Sequence, residues 1–129
     1  MAVATAGCEN ILGNDDGSFT FDSDEIEYTS GMTDAVDIQP TFGGVLMEGV
    51  IVLPSPCYRL EGEQDRSSGN ITFTINAIPT LTTCPAVVSA RSYRVQTLGV
   101  SRGFYRVRVR HKVGDEAPRI IAEQNVQVG

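Results

Sequence analysis

The chain has no tryptophan, one histidine, and one lysine among ten basic residues. No apolar run approaches the ~20 residues that a helix needs to cross a bilayer. One histidine, and cysteines without paired spacing, cannot complete a usual structural zinc site. No Gly-x-Ser-x-Gly or comparable nucleophile context is present, so His111 has no obvious partner for hydrolytic chemistry. A Gly-rich phosphate loop is missing as well. The formal charge of −6 argues against a general nucleic-acid binder. No cofactor, metal or catalytic residue is expected, and the chain does not read as an enzyme.

Charge is also missing locally. Residues 1–58 hold no Lys or Arg, and ten of the sixteen acids. The basic residues all lie from Arg59 onward, and nine of the ten are Arg. At 129 residues, 41% of them hydrophobic, the chain suits one domain with a real core.

What is present is mostly alternation. In residues 103–112, Tyr105, Val107 and Val109 fall on one face and Arg106, Arg108 and Arg110 on the other. That period of 2 marks a strand with one buried and one wet side. Similar runs recur between turn residues. Val45, Met47, Ile51 and Leu53 share a face opposite Glu48, and residues 57–64 can form a strand. Ile71, Phe73 and Ile75 alternate with polar residues, and Tyr93 and Val95 share a face. Ile120, Ala122, Val126 and Val128 are expected inward in the last strand. No convincing helix interrupts them. Short strands with turns at this spacing indicate an all-β sandwich, with a small barrel as the alternative.

The region before residue 36 reads differently. Residues 9–37 are polar, acidic and rich in Gly, Ser, Thr and Asp, with one short strand candidate at residues 18–22. The expectation is a flexible acidic lead-in over 1–35 and a sandwich over 36–129. Asp15, Asp16, Asp22, Asp24 and Glu25 fall short of a calcium loop, because Leu12 and Ser23 occupy its first and last ligand positions. A solvated acidic leader explains them better.

Residues 98–109, with Gly103 before Tyr105-x-Val107-x-Val109, resemble the entry to the penultimate strand of immunoglobulin-like and fibronectin-III-like domains. The resemblance implies a Greek-key sandwich of about seven antiparallel strands. It also implies that the Tyr105 hydroxyl bonds back to upstream backbone and pins a corner between the sheets. Residues 36–129 are similar in pattern to small envelope domains of bacteria and archaea, with a Pro-Cys-Tyr strand entry at Cys57 and a second cysteine at Cys84. Ala6-Gly7-Cys8 resembles the end of a bacterial lipoprotein signal peptide, which would place a lipid on Cys8. Such a resemblance speaks to architecture more than to function.

Cys57 and Cys84 both lie beside prolines at strand margins. A bridge between them would place the chain outside the cytosol, in the cell envelope or beyond it. Cys8 is then the odd one. The alternative is two buried free thiols in a cytosolic domain. Asn70-Ile-Thr72 matches a glycosylation sequon and matters only in a glycosylating organism.

Functionally, the expectation is a monomeric, non-catalytic binding or structural module that meets a membrane only through a lipid anchor. The candidate surfaces are the loop between Pro79 and Pro85, the turn at residues 65–69, and the face of Arg106, Arg108 and Arg110. Arg91, Arg94 and Arg102 are expected near that face. It would suit a protein or a polyanionic glycan, or remain simply solvated. A protease inhibitor acting through residues 81–85 is the rival reading. His111 is expected to be solvated or at a strand end.

Overall fold

The structure, a computed structural model, describes residues 18–81 and 83–129. Eight strands form two four-stranded sheets, and the described residues contain no helix. The first sheet runs β1 (Phe19–Ile26), β6 (Ser89–Thr97), β3 (Gly44–Leu53), β2 (Ala35–Thr41). The second runs β4 (Tyr58–Ser67), β5 (Asn70–Pro79), β7 (Gly103–Val113), β8 (Arg119–Val128). The expected β-sandwich is therefore what the chain forms.

Its inner faces follow the alternation. Val45, Met47, Ile51 and Leu53 of β3 are buried, as are Ile71, Phe73, Ile75 and Ala77 of β5. Tyr93 and Val95 of β6 and Val107 and Val109 of β7 complete the layer. Burial of a side chain of this size stabilises by roughly 1.5–3 kcal/mol, so the period-2 pattern also sets strand register.

Three details differ from expectation. Eight strands are present rather than about seven, and one pair, β5–β7, is parallel. Between them the chain crosses to the other sheet as β6 and returns, so it reverses direction twice. Second, the acidic lead-in supplies β1, which pairs with β6 along its whole length. Phe19 and Phe21 turn inward against Phe73, at 4.9 and 6.5 Å between ring centroids, while Asp22 and Asp24 stay outside. The folded part thus begins well before residue 36. Third, the β7–β8 register shifts between Val109 and Arg110. Val109 faces Ala122 but Arg110 faces Ile120, so Ile121 is the extra residue of a β-bulge. The slip turns Ile120 outward, contrary to the alternation, and leaves it exposed.

Candidate functional site

The bulge has a second effect. By register it sets Arg119 opposite His111, which points into the sandwich. His111 continues the inward row of Tyr105, Val107 and Val109, and its side chain is fully buried rather than solvated. A buried imidazole needs both nitrogens satisfied. Nδ1 lies 2.9 Å from Asp34 Oδ2, and Nε2 lies 2.6 Å from the Tyr93 hydroxyl. Asp34 sits just before β2, Tyr93 on β6 and His111 on β7, so the chain of bonds joins the two sheets.

Asp34 is the hub. Its Oδ1 accepts from the Val52 amide at 2.8 Å, and its Oδ2 accepts from Arg119 at 2.8 Å. Burial alone would raise its pKa. The bonds from His111, the Val52 amide and Arg119 outweigh burial and hold the carboxyl below its ordinary value. Ionised Asp34 thus faces Nδ1 of His111, and the Tyr93 hydroxyl faces Nε2. Burial, and next the charge of Asp34, push the Tyr93 hydroxyl above its usual range. That phenol therefore stays protonated. Gly49 makes room for it, because a Cβ there would come within 2.6 Å of both the Tyr93 oxygen and the Ala35 carbonyl.

The carboxylate–imidazole–hydroxyl order is that of a hydrolytic triad. Here the hydroxyl belongs to a buried tyrosine and both ring nitrogens are engaged inside the core. The arrangement fastens the chain before β2 to both sheets. Asp34 and Arg119 escaped the sequence reading because they lie 77 and 8 residues from His111 and meet it only through the fold. The alternation through His111 was the available signal.

The arginine face of β7 is outside, as expected, though only Arg106 is well exposed. Arg108 donates to Glu123 at 2.6 and 3.0 Å, and Arg106 lies 3.7 Å from the same carboxylate. The bond from Arg108, helped by Arg106, lowers the Glu123 pKa. Arg110 donates to Thr74 Oγ1 at 3.0 and 3.1 Å. The row is thus partly neutralised within its own sheet. Arg91 and Arg94 do not join it, since both lie on β6 in the other sheet. Arg94 is 3.8 Å from Glu48, and Arg91 turns inward to the Tyr58 carbonyl at 2.7 Å. Tyr105 donates to the Ser101 carbonyl at 2.8 Å, the upstream backbone bond expected of it.

Cys57 and Cys84 form a disulfide, with their Cα atoms 6.2 Å apart. It ties the start of β4 to the loop 80–88, which is also held by the Thr80 amide on the Cys57 carbonyl at 3.0 Å. A disulfide suits an oxidising compartment. The tied loop exposes Leu81, Val87 and Val88, the first two at 62% and 60%. Asp22 and Asp24 lie on the outside of β1, and among the described residues no cluster of three or more His, Cys, Asp or Glu is arranged to hold a metal ion. Cys8, Asp15 and Asp16 lie outside the described residues. No family model, curated protein or solved structure matches the chain.

Proposed function

We propose that this protein is a non-catalytic binding module of the cell envelope, held to a membrane through Cys8, which presents the loop 80–88 to a protein partner. The observation that carries the reading is that loop. Three large apolar side chains face solvent on a segment braced at Cys84 and at Thr80. Ties at Thr80 and Cys84 reduce the entropy that apolar groups beside them lose on binding, which is what an anchor at an interface needs. The arginine face is the weaker surface for a polyanionic glycan, because Glu123 already engages Arg106 and Arg108, and Thr74 engages Arg110. The binding reading also agrees with the burial of His111, which leaves its ring no free nitrogen.

A photo-crosslinker at Val87 tests this in cells of the source organism. The reading expects one defined protein adduct that Leu81→Asp abolishes. An adduct that instead forms from Arg106 would move the binding surface to the arginine face.

The same loop favours one second reading, inhibition of a protease by the exposed segment around Leu81. A panel of serine and cysteine proteases separates the two. Unchanged rates at micromolar protein remove inhibition and leave the binding reading intact.

A further inference from the structure

The two ends of the sandwich differ in chemistry. At one end meet residues 18–21, the β2–β3 turn, the β4–β5 turn, the loop 98–102 and the end of β8. The Val100 amide bonds the Gly43 carbonyl at 2.9 Å, and the Leu98 amide bonds the Ser18 carbonyl at 3.0 Å. This end carries Arg66, Arg102 and Arg106, with Asp65 bordering the β4–β5 turn and Glu123 3.7 Å from Arg106. The opposite end carries Glu25, Glu27, Asp34, Asp115 and Glu116, beside Arg59, Arg91, Lys112 and Arg119.

The same end also exposes large apolar groups. Phe42 is 96% exposed at the tip of the β2–β3 turn, Phe104 is 75% exposed at the start of β7, and Leu98 is exposed between them in sequence. The turn requires Gly43, whose φ is 77°, but nothing in the turn requires a phenylalanine beside it. Phe42 stands on one turn, and Leu98 and Phe104 at the two ends of the β6–β7 connection, as separate apolar tips. They suit a planar surface that each can enter singly.

We infer that this end of the sandwich inserts Phe42, Leu98 and Phe104 into the interface of a bilayer with anionic headgroups, which Arg102 and Arg106 attract. Amphipathic tips flanked by arginine bind in this way through buried apolar area plus electrostatic attraction. The connectivity agrees. Residues 1–17 join the sandwich at Ser18, at this same end. From Cys8 to Ser18 the chain spans ten residues, at most about 35 Å extended. In this respect the inference rests on the lipid-anchored reading, since a lipid on Cys8 would hold this end near the membrane.

Flotation of the unlipidated full chain with phosphatidylcholine vesicles, with and without phosphatidylglycerol, tests the surface apart from the anchor. The expected result is binding that rises with phosphatidylglycerol and falls with salt. Phe42→Ser with Phe104→Ser should weaken it about tenfold or more, while Arg102→Glu should weaken it only on anionic vesicles. Phe42→Trp adds a probe that works without measuring affinity, since its emission should shift blue with vesicles and be quenched by brominated lipid. Absence of binding at millimolar lipid, or equal binding by the double serine variant with its fold intact by circular dichroism, overturns the inference. So does self-association through the same tips in sedimentation. Mass analysis of Cys8 in native protein tests the anchor separately.

Discussion

The two ends of this sandwich are built to different rules. Around His111 and the disulfide, long-range covalent and charged bonds pin the chain. The disulfide ties β4 to the loop 80–88, Asp34 holds the chain before β2, and Arg91 caps the Tyr58 carbonyl. At the other end many bonds are neutral, such as Tyr105 to Ser101, Thr97 to Val45 and Gln96 to Thr41, and Arg66 on the Leu98 carbonyl is a charged one. The buried carboxylate–imidazole network lies at one end, and exposed aromatic surface is greatest at the other. The contrast shows that the most active-looking constellation in the molecule is a fastening, and that its candidate contact surfaces lie elsewhere.

Breaking the pinned end should therefore cost most. Replacing Cys57 and Cys84 by serine frees a 27-residue separation and should lower stability by about 3–4 kcal/mol, read by urea unfolding. Asp34→Ala should cost about 2–3 kcal/mol, because it strands a buried imidazole and the Val52 amide. A destabilisation under about 0.5 kcal/mol would mean that the network does not fasten the sheets.

Asp34 also sets a pH dependence. Its folded-state pKa is below the ordinary value, so the folded state favours the ionised form. The stabilisation is present above the unfolded value of about 4 and is lost as pH falls through the lowered folded value. Asp34→Asn should flatten that acid limb in thermal unfolding between neutral pH and strong acid. An unchanged slope would assign acid sensitivity to other carboxylates.

Smaller effects belong to the open end and the bulge. Tyr105→Phe should cost roughly 1 kcal/mol through the lost bond to Ser101. Ile120→Thr should change stability by less than about 0.5 kcal/mol, whereas Val126→Thr, in the same strand but buried, should cost clearly more. Equal effects would contradict the register shift.

Much of the fold was legible in residue order. Alternation placed Val107, Val109, Phe73 and Val95 inside, and the spacing of Cys57 and Cys84 allowed the bridge. The remainder depended on contacts that no local pattern encodes. Ile120 looked inward because a period of 2 does not announce a bulge. β1 was hidden in part because its acids outweigh Phe19 and Phe21 in composition, although the two phenylalanines do alternate. The parallel β5–β7 pair follows from a crossover through the other sheet. Asp34 meets His111 across 77 residues, so the network was visible only as an unexplained histidine in an inward row.

Hydrogen–deuterium exchange of the full chain, with and without vesicles containing phosphatidylglycerol, tests the division between the ends most directly. The account predicts new protection at residues 41–44 and 98–104, and unchanged exchange at residues 80–88 and around His111. Protection at residues 80–88, or none at residues 41–44, would contradict it.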